Sequence, residues 1–259
     1  PSLGRVDIQI ENGLNETWSA ASPSLVDVDE GFCSSRVVLM KNEQGEAKKL
    51  RVYRFSMSDE AEASAHILIE SVGDTNVVVV PADGEPRIYR EYPLRDSGFV
   101  PMNIVLDGRF GPDSERRILL MKDRDKALIR EAMSAAVVGV RTAFAEGWSG
   151  AHKLARAERP DEGFNSGDQE ETSWWVTSMA EFAGALAGLP IIKCSGGDRP
   201  ALPNDGDCAA FVFPSLHLTA PRPEVTVSTA WPLVEAANNL SPPDAAIAED
   251  WSQIAKGWE

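Results

Sequence analysis

Arg109 is the side chain in this sequence whose placement offers the clearest chemistry. It follows Asp107-Gly108 at the end of an extended stretch, residues 99–106, so a turn there would project it from a rigid support. A planar, permanently charged guanidinium is well suited to a phosphate oxygen. Reaching a nucleotide held by another domain, it would stabilise charge developing on the γ-phosphate. Arg116 and Arg117, in the charged link that follows, compete for that role. The plainer alternative is a surface arginine paired with Asp107 or Asp113, and such pairs contribute little.

Other chemistries are thinner. Asp96, Asp107 and Asp113 surround the same turn and could act as general acid and base on a small molecule if one had a raised pKa. Cys194, Cys208 and His217 could converge with a carboxylate on a metal, but the short paired spacings of a zinc site are missing. No metal is therefore expected, and both cysteines read as small apolar residues in strands. His66 reads as a core or edge histidine and His152 as a surface one. Cys194-Ser195-Gly196-Gly197-Asp198 lacks the lysine and following helix of a phosphate loop and reads as a turn. Walker, dinucleotide, nucleophile-elbow and zincin signatures are absent. Trp174, Trp175, Trp231, Trp251 and Trp258 suit core anchors or, where exposed, an interface.

The elements that must position these groups change character near residue 123. Before it, residues 6–10 and 50–55 alternate apolar and polar, with Arg51 and Arg54 expected on the solvent face. Residues 36–40, 66–69 and 77–80 are short apolar runs that suit buried strands. Turns are expected at 73–76 and 82–85. From Asp123-Arg124-Asp125 the pattern becomes helical, with Leu128, Ala132, Ala135, Ala136, Gly139, Val140 and Ala143 forming a close-approach stripe that ends at Gly147. A short helix is expected over 152–158, a hinge over 159–168 and a helix over 171–187. Strands at 191–194 and 208–213, with a loop at 198–207 between them, and helices at 231–240 and 244–258 complete the pattern. The sum is an α+β fold: a mixed β-sheet with a long packed helix at 123–147 in a domain spanning 1–159, then a smaller α/β domain at 160–259.

At 259 residues and 43% apolar content the chain can bury a real core. A net charge of −15 argues against a nucleic-acid surface. No apolar run reaches bilayer length, and no export signal is visible, so no membrane partner is expected. Three cysteines fit reduced thiols and a cytoplasmic location. The first residues lack an initiator Met and run straight into a strand pattern, as expected of a piece excised from a longer protein.

The stretch from Tyr89 to Arg130 resembles the segment just beyond the ATP site in sacsin-like and other GHKL-type ATPases. The resemblance covers residues 1–148 and rests on Leu3-Gly4-Arg5-Val6-Asp7-Ile8, Pro93-Leu94, Pro101-Met102-Asn103-Ile104 and Gly108-Arg109-Phe110. Asp96-Ser97 with Pro101-Met102-Asn103-Ile104 is also similar to the phosphate-sensing stretch of the ninety-kilodalton chaperones, although Arg109 lies several residues later than the arginine of that pattern. Beyond Pro190 the likeness is less specific.

The resemblance implies a transducer-like middle region of a cytosolic chaperone-like ATPase. It would couple the nucleotide state of an N-terminal ATP-binding domain to a partner or client protein, with Arg109, Arg116 or Arg117 as the phosphate contact. Trp174, Trp175, Trp251 and Trp258 would offer contact area, and homodimerisation stays open. ATP and Mg would belong to the parent protein. The family's Glu/Asn helix, Asp-x-Gly-x-Gly phrase and glycine-rich lid are not in these residues, so no cofactor and no activity are expected of this chain alone. Two further readings stay open, a small-molecule enzyme using the central carboxylates and a purely structural interaction domain.

Overall fold

The computed structural model describes residues 5–9, 15–41, 47–115, 117, 119–158, 169–191, 250, 251, 253, 254 and 257. They fall into two compact units, one built from Pro1–Gly98 with Ile104–Ala151, the other from Phe99–Asn103 with His152–Glu259.

The first unit is a mixed sheet carrying one long helix, an α+β arrangement. Its strands are β1 (Arg5–Gln9), β2 (Asn15–Ala20), β3 (Ser24–Val26), β4 (Phe32–Lys41), β5 (Ala47–Ser56), β6 (Ala63–Val72), β7 (Thr75–Val79), β8 (Ile88–Arg90), β9 (Tyr92–Pro93) and β10 (Val105–Gly108). They run in the order β1-β2-β4-β5-β6-β10-β8-β9, with β3 also on β4 and β7 also on β6. All pairs are antiparallel except β10 with β8. The long strands β4 and β6 each serve two short partners, which lets the sheet curl.

Alternation along β6 from Ala65 onward sets its two faces. Ala63, Ser64, Ala65, Ile67 and Ile69 are buried, while His66, Leu68 and Glu70 are only partly covered. The same period places Tyr53 and Phe55 of β5 on the buried face and corrects one expectation. Arg51 and Arg54 are three residues apart, so they lie on opposite faces. Arg51 stays with Tyr53, its guanidinium 5.9 Å above the ring and Nη1 donating to the Tyr53 hydroxyl at 3.3 Å.

Helix α1 (Asp123–Ala145) packs on β5, β6 and β10 through the expected stripe. Ala132, Ala135, Ala136, Val140 and Ala143 are fully buried. Gly139 is required by the approach, since a Cβ there would lie 2.9 Å from Ile67 Cδ1 and 3.0 Å from the Phe55 ring. The helix stops at Gly147, whose φ of +67° is the left-handed conformation glycine adopts freely. Trp148 N–H donates to the Ala143 carbonyl and Gly147 N–H to that of Phe144, a Schellman closure. Trp148 is then buried against Tyr53, ring centroids 4.6 Å apart.

The expected extended stretch at 99–106 is broken. Ser97–Phe99 forms a 3-10 turn and only Val105–Gly108 joins the sheet. Pro101 has no N–H for a ladder, which explains why a strand cannot run through it. Residues 99–103 belong to the second unit, where Met102 bridges to Ala157 and Glu158 N–H donates to the Pro101 carbonyl at 3.1 Å.

Ala151–Ala155, at the passage into that unit, forms a 3-10 turn where a short helix over 152–158 was expected. Helix α2 (Gln169–Ala187) buries Trp175, Met179, Phe182 and Leu186 at the expected helical spacing. The expected hinge at 159–168, the strands at 191–194 and 208–213 with their intervening loop, and the helix at 231–240 lie outside the described residues, Ile191 aside. Of the expected helix at 244–258, Asp250, Trp251, Gln253, Ile254 and Gly257 are described and helical.

Candidate functional site

The register of β10 on β6 decides what Arg109 meets. Gly108 pairs with Ala63, so the next residue arrives beside Glu62. Arg109 N–H donates to the Glu62 carbonyl at 3.0 Å. Its Nη1 then reaches Glu62 Oε1 at 3.5 Å, while Arg124, in the first turn of α1, places Nη2 3.2 and 3.0 Å from the two oxygens of the same carboxylate. Three elements thus bring two guanidiniums onto one carboxylate. Arg109 is 76% exposed, Arg124 64% and Glu62 41%. Where the plainer alternative had Asp107 or Asp113, the ion-pair partner of Arg109 in the structure is Glu62.

Sequence reasoning missed both Glu62 and Arg124. A signal for Arg124 was present, because a cation in a helix's first turn opposes the macrodipole by roughly 0.3–1 kcal/mol and calls for a reason. Glu62 carried none, since only strand register brings it there.

Arg117 belongs to a different set of ion pairs. Its Nε meets Asp96 Oδ2 at 2.8 Å and its Nη1 Glu115 Oε2 at 3.4 Å, while its backbone N–H donates to Asp113 Oδ1 at 2.7 Å. The hydrogen bond and charge of Asp96, then those of Glu115, raise its pKa above the usual arginine value. Arg116 lies outside the described residues. The 111–120 excursion is closed at its base by Leu120 N–H donating to the Gly111 carbonyl and by a Pro112–Leu119 bridge. Asp125, 3% exposed, ties that base to the helix: it accepts from Gly111 N–H at 2.7 Å and from Lys122 N–H at 3.2 Å. The helix therefore begins on Lys122, with Asp125 at its third position supplying the cap.

A second polar cluster occupies the other face of the sheet. Arg54, Ser64, His66 and Asp107 lie on adjacent strands in register. Ser64 Oγ is 3.2 Å from His66 Nε2, accepts from Arg54 Nε at 3.2 Å and donates to the Asp107 carbonyl at 3.4 Å. The residue types suggest a catalytic relay, but the geometry does not. Nε2 faces both Ser64 and, at 3.8 Å, Asp107 Oδ2, whereas a relay needs opposite ring nitrogens. Burial, with Arg54 adding and Asp107 opposing, holds His66 below its usual pKa. Of the central carboxylates, Asp96 and Asp113 thus serve Arg117 while Asp107 faces His66.

In the second unit Trp175 and Trp251 are fully buried, and Trp174 is half-buried. Trp175 meets Phe99 edge-on at 5.5 Å and Trp174 at 5.0 Å. Trp175 and Trp251 thus leave no surface exposed. His152, expected at the surface, is buried instead: Nε2 meets Asp250 Oδ2 at 2.8 Å and the ring lies 6.2 Å from that of Trp251. Trp231, Trp258, Cys194, Cys208, His217 and the 194–198 phrase lie outside the described residues. Among the described residues no group of three His, Cys, Asp or Glu could hold a metal ion. No described helix is long and apolar enough to cross a membrane.

Comparison with protein-family models, curated proteins and solved structures found no match for this chain.

Proposed function

We propose that this chain is the coupling region of a chaperone-like GHKL-type ATPase, relaying the nucleotide state of an N-terminal ATP-binding domain to a partner or client protein. ATP and Mg belong to that domain, and the cytoplasm is the expected setting. The observation carrying this reading is the exposed pair Arg109 and Arg124, held together by Glu62 where the central strand ends and the long helix begins. A guanidinium there is poised for a phosphate oxygen, and a shift of it acts directly on a 23-residue helix. The α+β sheet with its close-packed helix suits a body that transmits such a shift.

The test is ATP turnover by this chain and by the protein extended upstream of Pro1. Silence in the first with activity in the second is expected. Replacing Arg109, Arg116 and Arg117 together by alanine should then lower turnover at least tenfold, the lower range for a lost transition-state charge contact. An unchanged rate in that triple variant removes the coupling reading.

A further inference from the structure

The structure assigns Arg124 as the second arm of an oxyanion clamp and Glu62 as its resident anion, a built-in competitor that a nucleotide's phosphate chain must displace. The inference rests on the coupling reading for Arg109 and adds the partner arm and the regulation.

Charge sets up the exchange. Two permanent cations share one carboxylate, leaving the group at a formal +1 inside a chain of net charge −15. A polyphosphate brings more charge and more acceptor oxygens than a carboxylate, and guanidiniums take it in paired hydrogen bonds. The arms need not search for each other. Arg109 is fixed by its N–H on the Glu62 carbonyl, and Arg124 is fixed in the first turn of α1. The geometry is uneven in an informative way. Arg124 grips both oxygens of Glu62 at 3.0–3.2 Å, while Arg109 touches one at 3.5 Å, so Arg109 is the looser arm and more available to an incoming anion. Arg124 also stands where the helix dipole repels a cation, and that repulsion becomes attraction for any anion the two arms hold. Glu62 is exposed enough to swing away without opening the core.

The experiment is calorimetric titration of the 259-residue chain with inorganic tripolyphosphate at low salt, in Mg-free buffer. Glu62→Gln should tighten binding roughly two- to fivefold, the range set by losing exposed ion pairs. Adding Arg124→Ala or Arg109→Ala to that background should abolish the gain, and Arg124→Lys should restore part of it. Glu30→Gln, which releases Arg141 instead, should leave affinity unchanged. Binding by Glu62→Gln no tighter than wild type overturns the inference, as does an equal gain from Glu30→Gln, which would mean bulk charge alone. ATP without Mg should bind at least as well as tripolyphosphate; its failure to do so overturns a nucleotide as the source. Circular dichroism of each variant separates these results from misfolding. If the Glu62 effect is found while the alanine triple leaves turnover unchanged, the clamp stands and the coupling reading alone fails.

Discussion

Asp125 accepts hydrogen bonds from two backbone N–H groups in separate segments, Gly111 and Lys122. Asp125→Ala removes the acceptor of both donors in a partly buried place and should destabilise the chain by about 1–2 kcal/mol in urea, with Asp125→Asn milder because its amide oxygen still accepts one of the two. His66 gives a pH signature. Its folded pKa lies below its ordinary 6.5, so the unfolded chain takes up the proton first as pH falls. Its contribution is complete above about 6.5 and is lost as pH drops from there through the lower, folded value. Urea midpoints at pH 7.5 and 5.5 should show that loss in the wild type and a smaller one in His66→Asn; equal losses would sink the assignment. Burial pushes the Cys33 thiol up to about 12. Mapped by peptide mass, it should resist alkylation at pH 8 until the chain unfolds.

At the scale of elements, the junction of α1 with the sheet leaves little tolerance. Gly139→Val should lower stability by about 1–3 kcal/mol, because the added carbons meet Phe55 and Ile67 inside contact distance. Gly147→Ala should lose about 1 kcal/mol at the positive φ of the Schellman turn. Both follow from denaturation midpoints at constant m. Helix α1 was legible because its small-residue stripe, first turn and stopping glycine all point the same way. The strands β4, β6 and β7 were legible from their apolar runs and β5 from its alternation, but β2 and β3 were not, since Asn15–Ala20 and Ser24–Val26 are polar and short. The candidate site was half legible. Arg109 announces itself after a strand and a glycine, whereas Glu62 becomes its neighbour only through the antiparallel register of β10 on β6, which no local pattern encodes. Arg51 shows the opposite failure, a period of two misapplied across three residues.

For the whole molecule, the net charge of −15 sets the approach of any anion to the arginine pair. At 0.01 M salt the screening length of about 30 Å lets the whole negative field repel the ligand; at 0.15 M it is about 8 Å and mainly the two near cations act. Tripolyphosphate affinity should therefore rise and then fall with added salt, and a purely monotonic decline would mean that the local charges alone govern binding. The division of the chain into units has a consequence for the order of events during synthesis. Residues 99–103 emerge roughly fifty positions ahead of His152, where the rest of their unit begins, and the whole of α1 is made in between. Until the later residues arrive, Phe99 has no Trp175 and Met102 no Ala157 to lie against. A ribosome at 5–20 residues per second leaves this short apolar segment uncovered for roughly 3–10 s before its unit even begins to emerge. A chain stalled or cut near residue 151 would carry that segment without its later partners, an adhesive internal stretch that the finished protein keeps covered.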